Sequence, residues 1–275
     1  MGLDPRNEDL SGKSLLDDEG STAGLTFEVV EPDSDAAASN GQRQQGRGIY
    51  LLPNLFTTAA LFCGFYTIVA SFSGSFEKAA IALFAATMLD GMDGRVARLT
   101  NTQSAFGAQY DSMSDLVAFG VAPAMMVFSW SLSSLGKVGW MVCFFWVACA
   151  ALRLARFNVQ VDESPKTDFT GLPSPPAAAV VAYYVWVGVD SGLDGQSWAF
   201  FSALVTFITG ALMVSNLRYP SFKEIDFMGR VPFVSILAVV MLFAVIFIDP
   251  PRVLLMIAGG YTLLGLFLAL RRKFV

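Results

Sequence analysis

Residues 79–98 read AAIALFAATMLDGMDGRVAR, an apolar run that leads directly into Asp90 and Asp93. Residues 104–119 read SAFGAQYDSMSDLVAF, so Asp111 and Asp115 open a second apolar stretch after a short polar connection. Positions three or four apart share one face of a helix, which places each pair of acids on a common face. The two segments therefore predict adjacent antiparallel helices whose four carboxylates meet at the same end.

The chain around these segments has the composition of a membrane protein. Of its 275 residues, 54% are hydrophobic and 15% are charged, against about 25% charged residues in an average soluble domain. Its mean hydropathy is +0.54, and several apolar runs approach the ~20 residues that cross a hydrocarbon core. An ordinary soluble fold is excluded, and the sequence predicts an all-α, polytopic integral membrane helical bundle.

We identify about eight candidate transmembrane helices. They run over approximately 49–71, 76–98, 104–131, 138–157, 174–189, 197–215, 231–248 and 252–270. Pro123 is placed to kink the long third run, and the fifth run begins in the Pro-rich segment 172–176. If both termini are cytoplasmic, only Lys78, Lys137 and Arg252 of the 18 Lys and Arg residues lie on the opposite side. This distribution follows the positive-inside rule and predicts cytoplasmic termini.

Residues 1–47 differ from the rest of the chain. They hold ten of the 23 acidic residues but few large apolar side chains. Such a segment buries too little apolar surface to offset the entropy of ordering it. We expect a disordered acidic tail over 1–47, followed by one transmembrane domain over 48–275. The basic residues form no stripe that suits nucleic acid.

The residue types restrict the metal chemistry of the chain. It has no histidine, and its three cysteines lie inside apolar runs, so a metal site would use carboxylates and other oxygen ligands, as Mg²⁺, Mn²⁺ and Ca²⁺ prefer. An aspartate costs about 2.5–3.5 kcal/mol at the centre of a spanning helix, and less near its end. Divalent ions compensate that cost, and four carboxylates suffice for two ions. Solvated helix ends and a divalent cation transporter are the alternatives.

The offsets between these acids resemble a known signature. In this chain it reads Asp90-x-x-Asp93-Gly94-x-x-Ala97-Arg98, then Gly107, Asp111 and Asp115. This pattern is similar to that of the CDP-alcohol phosphotransferase family.

The resemblance implies a membrane enzyme with two Mg²⁺ or Mn²⁺ ions held by the four aspartates. Asp115 would be ligand and general base, or base alone, and would activate the acceptor hydroxyl. Gly94, Ala97, Arg98 and Gly107 would line the nucleotide site. Glycines at 91, 94 and 107 also leave room where two helices, or a helix and a ligand, approach closely.

Four further segments, each less specific than the aspartate signature, indicate a subgroup of the family. LLPNLFT (51–57), RLARFN (153–158), FTGLPSP (169–175) and LMVS (212–215) are similar to segments of the membrane-bound phosphatidylserine synthases of bacteria and archaea. This similarity implies transfer of the phosphatidyl group of CDP-diacylglycerol to L-serine, which releases CMP. It also implies a homodimer in a bacterial inner membrane with its active site facing the cytoplasm. Glycerol 3-phosphate or inositol phosphate as acceptor stays an alternative.

Further polar residues near helix ends are candidates for substrate binding. Asn54 and Thr57 lie one turn apart in the first run and are expected to meet the nucleotide, unless they serve as a helix cap and a packing residue. Arg153, Arg156 and Asn158 are expected to bind the acceptor or a substrate phosphate, because the planar guanidinium suits carboxylates and phosphates. Anchoring of the helix end by its arginines is the alternative.

Overall fold

Helices make up nearly all of the described structure. The computed structural model describes residues 51–100, 104–160, 168–220 and 233–274, so the expected acidic tail lies outside the described residues. In chain order the helices are α1 (Leu51–Phe72), α2 (Phe76–Thr100), α3 (Ala105–Asp115), α4 (Ala122–Trp130), α5 (Lys137–Gln160), α6 (Ser174–Asp190), α7 (Ala199–Val214), α8 (Phe233–Ile248) and α9 (Pro250–Phe274).

The helical bundle confirms the predicted helical class of a membrane protein. Within the described residues, four stretches are long and apolar enough to cross a membrane, and α7 is a shorter apolar helix. The four are Pro53–Phe72, Ala105–Trp130, Lys137–Val159 and Pro250–Leu268. The count of about eight spans and the cytoplasmic position of the termini stay predictions.

The third predicted span is divided by a π-helical segment, Leu116–Val121, between α3 and α4. The N–H of Ala122 binds the carbonyl of Val117, five residues earlier, and Pro123 follows with no N–H to donate. Trp146 of α5 donates its Nε1–H to the Gly120 carbonyl at 2.9 Å. The irregularity expected at Pro123 therefore begins earlier, directly after Asp115, and π segments of this kind are frequent at functional sites.

The core forms where α6 packs against α2, α4, α7 and α9. Helix α6 begins at Ser174 with Pro175 in its first turn, where a missing N–H costs nothing. On the other side, α1 packs along α2 and meets the π segment at Gly64. A Cβ at Gly64 would lie 2.6 Å from Ala118 Cα, so a glycine is needed for this close approach.

A short strand pair is the one departure from the all-α expectation among the described residues. Strand β1 (Asp168–Thr170) pairs antiparallel with β2 (Arg218–Pro220). Gly171 follows at φ +82 and donates its N–H to the Leu217 carbonyl at 2.8 Å. The pair ties the connection before α6 to the residues after α7, at the end of the bundle that holds the acids of α2.

Candidate active site

Three of the four predicted acids converge. Asp90 and Asp93 lie near the end of α2 and Asp111 lies in α3, and one carboxylate oxygen from each lies within 4.8 Å of the others. Asp93 is 5% exposed, and the other two are half-buried. The convergence follows from the sequence, since α2 stays helical beyond both of its acids and the chain then returns antiparallel as α3.

Helix α1 holds Asp93 in place. Thr57 Oγ1 donates a hydrogen bond to Asp93 Oδ2 at 2.9 Å, and the Gly94 N–H donates to the other carboxylate oxygen. Ser114 of α3 in turn donates to the Thr57 carbonyl at 3.1 Å. The threonine therefore fixes the carboxylate and also joins α1 to both acid-bearing helices.

The convergent acids fit a divalent metal ion. Oxygens that share one Mg²⁺ at about 2.0–2.1 Å lie within roughly 4 Å of each other, close to the spacing of the three carboxylates. Asp111 Oδ1 is buried without a hydrogen-bond partner among the described residues, which a metal ion would satisfy. All three potential metal ligands are carboxylate oxygens, and hard cations prefer oxygen ligands of this kind.

Asp115 lies outside this group of three. Its carboxyl group is within hydrogen-bonding reach of Asp90, and it interacts electrostatically with Arg153 of α5. It follows Asp111 by one helical turn, so it lies deeper in the bundle, at the start of the π segment.

An open cleft of about 240 Å³ lies beside the acids. It is lined by Pro53, Asn54, Thr57, Asp93, Gly94, Ala97, Arg98, Ser104, Gly107, Ala108 and Asp111. The structure thus brings together all six residues predicted to bind the nucleotide. Sequence reasoning missed Ser104, which caps α3 by accepting the Gly107 N–H at 3.0 Å; a serine just before a helix is the signal that would have found it.

The three glycines near the acids differ in how much space surrounds them. A Cβ at Gly91 or Gly94 would meet nothing within 4 Å, so packing against the described residues does not require a glycine there. Gly94 leaves open space within the cleft. At Gly107 a Cβ would lie 3.1 Å from Ser104 Oγ, so that position is tight.

The three residues predicted for the acceptor do not share one pocket. Each has a different partner: Arg153 Nη1 donates to Ser174 Oγ at 2.6 Å, Arg156 Nη2 to Asn216 Oδ1 at 2.8 Å and Asn158 Nδ2 to Ser112 Oγ at 3.0 Å. Arg153 alone of the three interacts with the acids, through Asp115. The acids therefore divide into two sets. Asp93 and Asp111 line the cleft, whereas Asp115 does not line it and interacts electrostatically with Arg153.

Comparison with known proteins agrees with this geometry. Residues 50–214 match the family model described as CDP-alcohol phosphatidyltransferase. The chain belongs to the CDP-alcohol phosphatidyltransferase family. The resemblance seen in the sequence is thereby confirmed, and the matched region contains the four aspartates and the whole cleft.

Curated members of this family are similar over most of the chain. The CDP-diacylglycerol--serine O-phosphatidyltransferase of Helicobacter pylori is 36% identical over 219 residues, 79% of this chain and 90% of that protein. The protein of the same name from Mycobacterium leprae is 34% identical, over 67% of this chain and 62% of that protein. The archaetidylserine synthase of Methanothermobacter thermautotrophicus is 34% identical, over 65% and 72%.

Proposed function

We propose that the protein transfers the phosphatidyl group of CDP-diacylglycerol to the hydroxyl of L-serine and releases CMP. The observation that carries this proposal is the division of the acids into two sets. Asp93 and Asp111 line an open cleft with Arg98, which suits a nucleotide diphosphate, and Asp115, which does not line the cleft, interacts electrostatically with Arg153, which suits an acceptor with a carboxylate. The names of the similar proteins support the same reaction.

In the proposed step the serine hydroxyl oxygen attacks the phosphorus that carries diacylglycerol. A new P–O bond forms, the bridging P–O bond to CMP breaks, and CMP leaves with the electron pair. Asp115 accepts the hydroxyl proton, because it does not line the cleft and lies outside the group of three converging carboxylates. Its role is thus that of a general base. Arg98 binds phosphate oxygens from the cleft.

Asp90, Asp93 and Asp111 would hold the divalent ion. An Mg²⁺ or Mn²⁺ ion held by these residues would supply positive charge to stabilise the pyrophosphate and the CMP leaving group. A second ion would need Asp115 or substrate oxygens in addition, so the two-ion site is part of the proposal. Thr57 contributes by holding Asp93 in one orientation.

The alternative functions differ from transfer to serine either in the acceptor or in the process itself. Glycerol 3-phosphate and inositol phosphate carry a phosphomonoester of nearly two charges, whereas a serine carboxylate carries one, which the single guanidinium of Arg153 would match. A divalent cation transporter would use the same acids but would not account for the cleft beside them, which contains all six residues predicted to bind the nucleotide. We also propose a bacterial inner membrane location, a cytoplasmic site and a homodimer.

The experiment is an acceptor competition with purified protein and CDP-diacylglycerol. We expect CMP release that depends on both L-serine and Mg²⁺ or Mn²⁺, with one phosphatidylserine formed per CMP. Glycerol 3-phosphate and inositol phosphate should neither replace nor inhibit serine at equal concentration. Full turnover in chelator, or CMP release without serine, would contradict the proposal. Uptake of divalent ions by proteoliposomes without CMP release would support the transporter instead.

A further inference from the structure

A cluster of polar side chains near Asp115, which we call the polar recess, is separate from the residues that line the nucleotide cleft. Its members come from four elements: Arg153 from α5, Ser174 from the start of α6, Tyr219 from β2 and Tyr261 from α9. Arg153 interacts electrostatically with both Asp115 and Tyr261, and the rings of Tyr219 and Tyr261 are 6.0 Å apart between centroids. Two electrostatic interactions and one ring contact thus link Asp115 to β2 through Arg153 and Tyr261.

Two hydrogen-bond donors in this recess are buried without a partner among the described residues. Tyr219 is 0% exposed, yet its hydroxyl has no hydrogen-bond partner among the described residues. The same holds for Nε of Arg153, whose Nη1 is engaged by Ser174. Buried donors are rarely left unpaired, because a donor that has lost water and gained no partner destabilises the fold. Two such donors in one cluster indicate a site for a ligand that accepts hydrogen bonds.

Helix α9 fixes the position of the tyrosine ring. A Cβ at Gly265 would clash with Cδ1 of Tyr219, so a glycine at this position leaves the room that the ring occupies. Earlier in α9, a Cβ at Gly260 would meet nothing within 4 Å. The need for glycine at 265 is therefore specific to the tyrosine contact.

We propose that Tyr219 and Tyr261, together with Arg153, bind the carboxylate of an amino-acid acceptor and thereby select it. The inference rests on the proposed transfer reaction and deepens it. One guanidinium and two phenolic hydroxyls match a singly charged carboxylate, which accepts several hydrogen bonds. Tyr219 and Tyr261 lie beyond residues 50–214 that match the family. The shared region thus supplies the phosphoryl transfer, and β2 and α9 supply the choice of acceptor.

The test compares L-serine with L-serinamide, in which a carboxamide replaces the carboxylate. In the wild type we expect a strong preference for serine. In Tyr219→Phe and Tyr261→Phe, the KM for serine should rise about tenfold or more, because a hydrogen bond to a charged group is lost. The KM for serinamide and for CDP-diacylglycerol should stay near the wild-type values. The preference for the carboxylate therefore shrinks in both variants.

Two matched controls separate recognition from folding. Tyr184→Phe removes a hydroxyl that pairs with Ser202 Oγ at 3.1 Å, at the other end of the bundle, and should leave both KM values unchanged. Gly265→Ala should displace the Tyr219 ring and raise the KM for serine, whereas Gly260→Ala should not. These variants keep the proposal testable even if one tyrosine variant folds poorly.

Failure of the proposed transfer reaction and failure of the proposed carboxylate site would give different results. If the wild type forms no phosphatidylserine from CDP-diacylglycerol and serine, the transfer reaction itself is wrong and the recess has no amino-acid ligand. If the wild type is active but both tyrosine variants keep its preference for serine over serinamide, the transfer reaction stands and the carboxylate recess is wrong. An equal rise of both KM values would also overturn it, since it would show a loss unrelated to the carboxylate.

Discussion

The proposed reaction gives the aspartates different roles because they lie in different positions. Asp93 is held by Thr57 and lines the cleft, while Asp115 lies one turn beyond Asp111, does not line the cleft and is the proposed general base. The neighbours of each aspartate would thus decide what an identical side chain does. Substitutions at this scale should separate binding of the nucleotide from proton transfer.

Asp115→Asn should lower turnover by about 10²–10⁴-fold, the usual contribution of a general base. Binding of CDP-diacylglycerol should change little, because the residue does not line the cleft. Steady-state turnover and equilibrium nucleotide binding measure the two effects. Asp190→Asn is the control, since that carboxylate pairs with Arg252 at the opposite end. A near-normal rate in Asp115→Asn would remove its role as base.

Gly94→Ala and Gly91→Ala form a second matched pair. Both add a methyl group on α2 where no described atom lies within 4 Å, but only Gly94 lines the cleft. Gly94→Ala should raise the KM for CDP-diacylglycerol several-fold, and Gly91→Ala should not. Equal KM values in the two variants would show that the nucleotide does not occupy this part of the cleft.

Thr57→Val tests how the carboxylate is oriented. Loss of its hydrogen bond to Asp93 should weaken metal binding by about 10–100-fold, as is common when a group that orients a ligand is removed. Calorimetric titration with Mn²⁺ measures this directly, with Thr87→Val as control because that hydroxyl bonds only within α2, to the Leu83 carbonyl at 3.0 Å. Unchanged affinity would mean that Asp93 needs no support from α1.

The sequence alone predicts the four aspartates as candidate site residues, but it does not predict Tyr219 and Tyr261. Four acids in apolar runs, at spacings of three and four, indicate a shared helical face whatever the rest of the fold. Tyr219 and Tyr261 lack any such spacing, and a single tyrosine in an apolar segment is usually a packing residue. Their proximity to Arg153 depends on how α9 lies against α6, which is a property of the tertiary structure alone.

At the scale of elements, the hydropathy of the sequence predicts the limits of the helices closely. It does not predict the two short strands or the π segment. The predicted runs 76–98 and 174–189 correspond to Phe76–Thr100 and Ser174–Asp190. Strands β1 and β2 are three residues each, too short for an alternating pattern, and their pairing joins distant parts of the chain. The π segment likewise depends on a partner, Trp146, from another helix.

Trp146→Phe should destabilise the fold through the π segment. The variant removes the donor to the Gly120 carbonyl, and a buried acceptor left unpaired costs about 1–3 kcal/mol. We expect a lower midpoint of thermal unfolding in detergent, together with reduced turnover because Asp115 directly precedes the segment. Trp198→Phe, at an exposed position, is the control. An unchanged midpoint for Trp146→Phe would show that the hydrogen bond is dispensable.

At the scale of the whole molecule, the active-site residues gather at one end of the bundle and an ion-pair cluster marks the other. Arg252 contacts Asp190 at 3.0 Å and Asp249 at 2.8 Å, in the connections opposite the acids. The positive-inside distribution predicts that the site faces the cytoplasm. This orientation matters for function because a water-soluble amino acid and the nucleotide would then reach the site from inside the cell.

Single cysteines in a variant lacking Cys63, Cys143 and Cys149 test the orientation. Asp194→Cys, in the exposed connection after α6, should react with a membrane-impermeant maleimide added to intact bacterial cells. Leu99→Cys, 81% exposed at the end of α2, should react only after the membrane is opened. The reverse pattern would place the active site outside the cytoplasm.

The most direct measurement of the central claim is the ³¹P NMR spectrum of CDP-diacylglycerol bound to the purified protein, recorded with and without Mn²⁺. We expect paramagnetic broadening of both pyrophosphate resonances in the wild type and in an Asp194→Asn control, and its loss in Asp93→Asn, since the aspartates would hold the ion against the pyrophosphate. Broadening that persists unchanged in Asp93→Asn, Asp90→Asn and Asp111→Asn would contradict the claim that these carboxylates bind the catalytic metal.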